Sequence, residues 1–166
     1  MDTYGSENTP ILGETILAFR QHHRYPIAIT YNTTIRTFGD PAASCLPQLL
    51  WSTWTIKHFN GDAFSYFLVL FVFAWCSVGL WVNQIHQWSH THNKQIPAVA
   101  QLLQKVGLIV SKQHHHKHHI SPHTCDYCIV SGIMDGPLAA LKFWRRMENI
   151  IEYLTNVKPR SECKSH

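Results

Sequence analysis

The run from Phe64 to Val82 places the strongest constraint on how this chain can fold. Its sequence, FSYFLVLFVFAWCSVGLWV, contains no charged residue. As a helix rising about 1.5 Å per residue it is long enough to cross a hydrocarbon core about 30 Å thick. A buried core helix is the alternative, but a helix that is apolar on every face in a chain of 166 residues suits lipid better. We therefore predict a transmembrane span over residues 64–82.

Composition agrees with a membrane-associated protein and argues against a nucleic-acid partner. Charged residues make up 14% of the chain, below the roughly one quarter of soluble domains. The net charge is +4 and no lysine and arginine cluster stands out. The chain has five cysteines, and its first residues are polar and do not have the pattern of a signal peptide. We therefore expect the cysteines to be mostly free thiols that face a reducing compartment or are buried. Cys125 and Cys128 have CxxC spacing, which alone is a weak redox or zinc signal, and packing near the histidines is the favoured interpretation.

The segments on either side of this run are predicted from periodicity and proline positions. Thr9 and Pro10 have the pattern of a helix start, and Pro26 should end that helix just beyond His22 and His23. Residues 30–42 read as a polar connection. The uncharged stretch Pro41 to Ile56 is a marginal span by itself, because it is shorter and contains Pro47.

Two further segments are apolar but too short or too charged to span. Residues 96–110 should lie in the membrane interface or dip into the protein. The helical pattern near the C-terminus should turn one apolar face to a core or to the headgroup boundary. That face consists of Phe143, Trp144, Met147, Ile150, Ile151 and Leu154.

Most of the thirteen histidines are concentrated in three places, each beside an apolar segment. His86 and His90 are four residues apart and share one face of a helix. In the tract HHHKHH, positions 115, 118 and 119 share a face, while His116 points away and should be a bystander. His22 and His23 are adjacent, roughly 100° apart on a helix. A histidine tract alone binds metals adventitiously, but three clusters with ligand spacing favour a metal centre that does chemistry.

The histidine clusters contain no acidic residue, and this excludes several common kinds of metal site. Zinc peptidases need HExxH with a glutamate base, and soluble di-iron bundles use Glu and ExxH ligands; the sequence contains neither pattern. A structural zinc takes four ligands, whereas seven or more histidines are available. A nitrogen-rich, carboxylate-poor site for two metal ions at a membrane surface indicates iron that activates O₂ against an unactivated C–H bond.

Several long stretches carry a resemblance to a known family. They are DTYGS with TPILG, FRQHHRYPIAIT, NQIHQWSHTH, HHHKHHISPHTCDYCIVSG and FWRRMENIIEYLTNVKPR. Together they resemble, nearly end to end, the lipid desaturases that include animal plasmanylethanolamine desaturases and the plant plastidial desaturase acting on phosphatidylglycerol. In the family a histidine precedes the aspartate of the DTYGS-like stretch by four residues, after further spans. Here Asp2 follows Met1, so the resemblance implies a single desaturase domain over residues 1–166 that is N-terminally shortened.

The resemblance implies a ligand set, cofactors and a reaction. Seven metal ligands are implied: His22, His23, His86, His90, His115, His118 and His119. Additional candidates are His114, His123 and Asp2. The implied cofactors are two iron ions, with O₂ as co-substrate and an external electron donor of the cytochrome b5 or ferredoxin type. The implied reaction removes two hydrogens from a phospholipid-borne alkyl chain and turns plasmanylethanolamine into a plasmalogen vinyl ether. The implied location is the endoplasmic reticulum membrane, with a plastid membrane as the alternative.

A shared metal site would also fix the topology. His22 and His23 lie on the same membrane side as the later clusters only if two spans separate them. The spans would be residues 41–57 and 64–82, so we predict an all-α integral membrane protein with a transmembrane hairpin and a histidine-rich cap on one face. Two other functions stay open: an acyl desaturase acting on phosphatidylglycerol, and a non-catalytic or shortened membrane metal-binding protein.

Overall fold

The regular secondary structure is all helical in the part of the chain that the structure describes. This computed structural model describes residues 8, 10, 13–58, 62–121 and 123–158, and in them it forms no β-strand, which confirms the predicted all-α class. The α-helices in those residues are α1 (Gly13–Arg24), α2 (Thr34–His58), α3 (Ala63–His90), α4 (Ala98–Lys105), α5 (Lys112–His118), α6 (Asp135–Ala140) and α7 (Phe143–Thr155). The chain divides into two compact units, Asn32–His86 and Met1–Tyr31 with Gln87–His166.

In the unit Asn32–His86, α2 and α3 pair as antiparallel helices. The Sγ atoms of Cys45 and Cys76 each lie within 3.9 Å of the other residue's carbonyl oxygen. Nearer the opposite end of the pair, the rings of Phe38 and Trp81 meet edge to face with centroids 5.5 Å apart. The first turn of α3 is capped by Asp62, whose carboxylate accepts from the Ser65 amide at 2.7 Å. The predicted helical pairing of these segments is therefore present, while the expected turn includes residues 59–61, which lie outside the described residues.

The predicted polar connection over residues 30–42 is wrong from Thr34 onwards, because α2 already begins there. Its interior contains Pro41 and Pro47, which sequence reasoning treats as helix breakers. Pro41 has no N–H to give to the carbonyl of Thr37 four residues earlier. That carbonyl instead accepts a hydrogen bond from the Asn83 side chain at 3.3 Å. The neighbouring helix α3 therefore supplies the donor that the proline lacks.

Helix α3 contains the whole uncharged run and leaves it exposed. Among the described residues it is the helix long and apolar enough to cross a membrane, and only 6% of its most apolar stretch is buried. Large apolar side chains lie exposed along it, among them Phe64, Phe67, Leu70, Phe73 and Trp75. A core helix of a soluble protein would bury such a surface, so its exposure argues against that alternative.

The second unit is formed by Met1–Tyr31 with Gln87–His166. Helix α1 ends at Arg24 before Pro26, as predicted, and a 3₁₀ helix follows over Pro26–Tyr31. It begins at Gly13, so the expected start at Pro10 is wrong; Pro10 lies in a turn, and Thr9 lies outside the described residues. The Gln87 amide binds the carbonyl of Ile29 at 3.1 Å.

Within the segment 96–110, residues Ala98–Lys105 form α4, and the last two residues are buried. Ile109 and Val110 are buried, and the Val110 amide donates to the Val130 carbonyl at 2.7 Å. Val99 and Leu102 remain exposed. The segment thus dips into the protein at its end, one of the two expected arrangements.

The C-terminal pattern forms two helices, α6 and α7, separated at Lys142, whose φ of 49° is left-handed. Trp144, Ile150, Ile151 and Leu154 are exposed on α7, whereas Glu148 is buried and binds Arg145 at 3.2 Å. The first turns of this face are partly packed, since the ring of Trp144 contacts that of Tyr127 with centroids 4.9 Å apart and Phe143 and Met147 are half-buried, and a role of its exposed end at the headgroup boundary stays a prediction.

Candidate metal centre

Three helix ends supply the histidines of the unit Met1–Tyr31 with Gln87–His166. His22 and His23 lie in the last turn of α1, and His90 is the last residue of α3. Helix α5 starts at a Ser111 cap, whose hydroxyl accepts from the His114 amide. It carries His115 and His118, which are buried, and His119 follows as its C-cap.

The first group consists of His22, His90, His115 and His119, one coordinating nitrogen of each lying within 4.8 Å of the others. The Nε2 atom of His115 is 3.0 Å from His90 Nε2 and 2.9 Å from His119 Nε2. A metal–imidazole bond is about 2.1 Å, so two nitrogens at right angles around one ion would be about 3 Å apart. The spacing of this first group is therefore that of ligands around a metal.

Hydrogen bonds between neutral imidazoles do not account for the close approach of these three Nε2 atoms. The Nε2 atom of a neutral imidazole either donates one hydrogen or accepts one, so His115 Nε2 forms an ordinary hydrogen bond with one of its two close neighbours only. A cation among the three nitrogens would take a lone pair from each. The residues present fit a bound metal ion better than they fit a hydrogen-bonded core.

The second group consists of His23, His118 and His123. His23 Nε2 and His118 Nε2 are 3.0 Å apart, and the ring of His123 stacks on His23 with centroids 5.0 Å apart. His118 Nδ1 donates to the Cys125 carbonyl at 3.0 Å, which fixes the tautomer and directs the Nε2 lone pair towards His23. His23 also lies against the first group, with its ring centroid 4.9 Å from that of His119. The two groups adjoin, which is what a centre for two ions requires.

Burial keeps these imidazoles neutral. Desolvation, followed by the charge of His118, lowers the pKa of His22 to about 4. Burial, with smaller effects of His90 and His22, lowers the pKa of His119 to about 2, and burial also lowers the pKa of His118. A lone pair is available for a metal only on neutral imidazole, so the ligand form is the one present at neutral pH.

His114 lies in a third group that the sequence did not reveal. Its Nε2 donates to Asp135 Oδ2 at 2.8 Å and is 3.6 Å from Asp126 Oδ1. Asp135 is buried, and its other oxygen accepts from the Cys128 amide at 3.0 Å. His114 was a candidate ligand, and its nitrogen is engaged by a carboxylate instead of the imidazole groups. Nothing in the spacing signals this pair, since twenty-one positions separate its members.

The remaining candidates are placed as follows. His86 lies one turn before His90 on the same face of α3, His116 is exposed, and Asp2 lies outside the described residues. Cys125 and Cys128 are free thiols. Burial, then Asp135, raises the pKa of Cys128 to about 11, so the thiol stays protonated. That favours packing over a redox or zinc role.

A helical scaffold that gathers imidazoles from three helix ends, and that exposes an apolar helix long enough to cross a membrane, has the features of a membrane protein whose histidines could hold a metal ion. Comparison with known proteins then gives the family. A lipid desaturase domain matches residues 1–162, and the chain belongs to the lipid desaturase family. No solved structure is significantly similar to it.

Relatives from animals, plants and bacteria share this similarity. The chain is 37% identical to plasmanylethanolamine desaturase 1 of Mus musculus, over 97% of this chain and 60% of the relative. It is 34% identical to chloroplastic fatty acid desaturase 4 of Arabidopsis thaliana, over 97% and 48%. With plasmanylethanolamine desaturase of Myxococcus xanthus it shares 34% identity, over 97% and 56%. The chain thus spans about half to three fifths of the length of these relatives.

Proposed function

We propose that this chain is the metal-binding part of a membrane lipid desaturase, an oxidoreductase that uses two iron ions and O₂. The observation that carries the proposal is the meeting of His115 Nε2 with the Nε2 atoms of His90 and His119 at 2.9–3.0 Å. Family membership supports a lipid substrate. The proposed ligands of one ion are His22, His90, His115 and His119, with His86 added because of its helical spacing from His90. His23 and His118, with His123 beside them, would serve the other.

Bound iron would supply the oxidising power that removes hydrogen from an unactivated carbon chain. In the balanced reaction, two hydrogens leave adjacent carbons, and O₂ takes these with two electrons from two reduced donor molecules and two protons from water to give two waters. The donor would be an electron-transfer protein of the cytochrome b5 or ferredoxin type. The chain's own residues hold the ions with neutral imidazoles, keep the His118 tautomer fixed through the Cys125 carbonyl, and place the lipid beside His90 and His119.

The substrate we propose is a plasmanylethanolamine, converted into its vinyl ether. The similarity to the mouse and Myxococcus proteins supports this choice. The similarity to the Arabidopsis protein supports a second candidate, desaturation of an acyl chain on phosphatidylglycerol. The two candidates share the centre and differ in the lipid and the location, which would be the endoplasmic reticulum for the first and a plastid membrane for the second.

We further propose that α2 and α3 form a transmembrane hairpin. Their antiparallel pairing through Cys45 and Cys76 and the exposed apolar surface of α3 support it. With 28 residues, α3 exceeds the about 20 apolar residues that a span needs, whereas α2 has 25 residues and its uncharged part covers residues 41–56. The start of α2 and the end of α3 would then emerge on one membrane face, where the histidines follow.

The test is metal analysis combined with lipid analysis. We expect the chain, purified in detergent and loaded with Fe²⁺ without oxygen, to bind two irons. With O₂ and a reductant it should turn a plasmanylethanolamine into an acid-labile vinyl ether that releases a fatty aldehyde. A double bond in the acyl chain of phosphatidylglycerol would establish the second candidate instead. Zinc binding without O₂ consumption would identify a non-catalytic metal-binding protein and overturn the proposal.

A further inference from the structure

A polar cavity of about 660 Å³ adjoins helices α4 and α5. It is lined by Lys105 and Lys112 together with amide and hydroxyl side chains, and none of its described lining residues is acidic. The other lining residues are Asn93, Gln101, Leu102, Gln104, Ser111 and Gln113. Its size falls in the range of small-molecule sites, and its two ammonium groups suit an anion with several oxygens.

The wall of this cavity is fixed by hydrogen bonds. The Gln101 amide donates to the Ile96 carbonyl at 3.1 Å, and the Gln104 amide donates to the Val110 carbonyl at 3.2 Å. Val110 is itself buried. The backbone therefore holds these two glutamine side chains in place on one side of the cavity, whereas the side chains of Lys105 and Lys112 are exposed.

A second, smaller cavity of about 250 Å³ lies directly beside the metal centre. Two of the proposed ligands, His90 and His119, line it, together with Pro26 and Ile27. Lys112 lines both cavities. Because Lys112 also precedes His115 by three residues, the cation lies about one helical turn from a proposed ligand on the same face.

We propose that the polar cavity binds the phosphodiester of the lipid substrate through Lys112 and Lys105, while the first carbons of the alkyl chain enter the cavity at His90 and His119. This inference rests on the proposed function and adds the headgroup site to it. Basic pockets near a membrane face are suited to phospholipid headgroups. Two lysines that are merely solvated are the ordinary alternative, and it would not explain why Lys112 also lines the cavity at His90 and His119.

The shared lysine also bears on where the double bond forms. Lys112 lines both cavities, and His90 and His119 line the smaller one, so the atoms that follow the phosphate along the lipid would enter the smaller cavity. The glycerol backbone and the first carbons of the chain would fill that space. The bond next to the ether oxygen, which becomes the vinyl ether, would then lie nearest the metal centre, whereas a bond in the middle of the chain would be carried past it.

The test replaces Lys112 by glutamine and measures headgroup binding directly. The full chain is studied in maltoside detergent, which contains no phosphate, with water-soluble glycerophosphoethanolamine and inorganic phosphate as separate probes in calorimetric titrations. We expect Lys112→Gln to weaken glycerophosphoethanolamine binding by about tenfold or more, as for loss of a charged hydrogen bond, and to raise KM for the lipid more than it lowers kcat. Lys112→Arg should retain binding, and Lys105→Gln should weaken it as a second, independent variant.

The matched control is Lys94→Gln, since Lys94 is an exposed lysine that lines neither cavity. Equal binding by wild type, Lys112→Gln and Lys105→Gln would overturn the inference. So would tighter binding of inorganic phosphate than of the diester, which would mark a site for free phosphate. If the wild type binds iron and desaturates lipid while Lys112 has no effect on either probe, the headgroup site fails and the proposed function stands. If it lacks iron or activity, the proposed function fails, and the binding titration still reports on the cavity.

Discussion

Replacing His115 by alanine is expected to abolish the proposed desaturation and to remove at least one of the two proposed irons. His115 is 1% exposed, and its Nε2 is the atom that His90 and His119 both approach within 3.0 Å. Loss of outer-shell partners alone typically costs 10- to 100-fold in metal affinity or activity, so loss of this central nitrogen should cost more than about hundredfold. Iron per chain is measured by mass spectrometry after loading, and product is measured as released aldehyde.

The neighbouring His116 provides the control for iron content. It lies on the same helix, is exposed, and contributes no nitrogen to either imidazole group of the described structure. His116→Ala should therefore retain both irons. His115→Ala should still be extracted from membranes with an unchanged helical circular dichroism spectrum, because the α2 and α3 pair does not contain this residue. Two irons and normal turnover in His115→Ala would refute its assignment as a ligand.

Much of the helical framework and the grouping of the histidines followed from local patterns. The uncharged run predicts α3, and Pro26 predicts the end of α1. The face-sharing positions of the HHHKHH tract correctly placed His115 and His119 together. Such periodicity is visible in sequence because a helix repeats every 3.6 residues.

The predictions that failed depend on contacts between residues that are far apart in the sequence. Residues 34–41 are predicted to be a polar connection, yet they are helical, and the Asn83 side chain donates to the Thr37 carbonyl, for which Pro41 has no N–H. His114 shares a face with His118 by spacing, but the two side chains have different partners: His114 binds Asp135 and His118 meets His23. A carboxylate twenty-one residues away changes the environment of a histidine without leaving a periodic signal, so single-sequence reasoning could not find it.

The other large effect is expected at Gly132, whose backbone lies directly against the ring of His114. Its φ is +71°, and a Cβ atom there would lie 2.7 Å from His114 Nε2 and 3.0 Å from His114 Cδ2. The ring cannot retreat freely, since it is bound to Asp135 at 2.8 Å. Left-handed backbone costs a non-glycine residue about 1–2 kcal/mol, and losing the His114 bond to a buried carboxylate adds about 1–3 kcal/mol. Gly132→Ala should therefore lower the free energy of unfolding by about 2–5 kcal/mol.

Gly136→Ala is the matched control, because Gly136 lies in α6 and a Cβ there meets no atom within 4 Å. In a helix that change should be neutral or stabilise the protein by up to about 1 kcal/mol. Thermal unfolding in detergent measures both variants. Since His114 is adjacent to His115, Gly132→Ala should also lower iron occupancy, whereas Gly136→Ala should not. Equal midpoints for the two variants would mean that His114 can leave Asp135 at little cost, and the His114–Asp135 pair would then have no part in holding α5 against the metal centre.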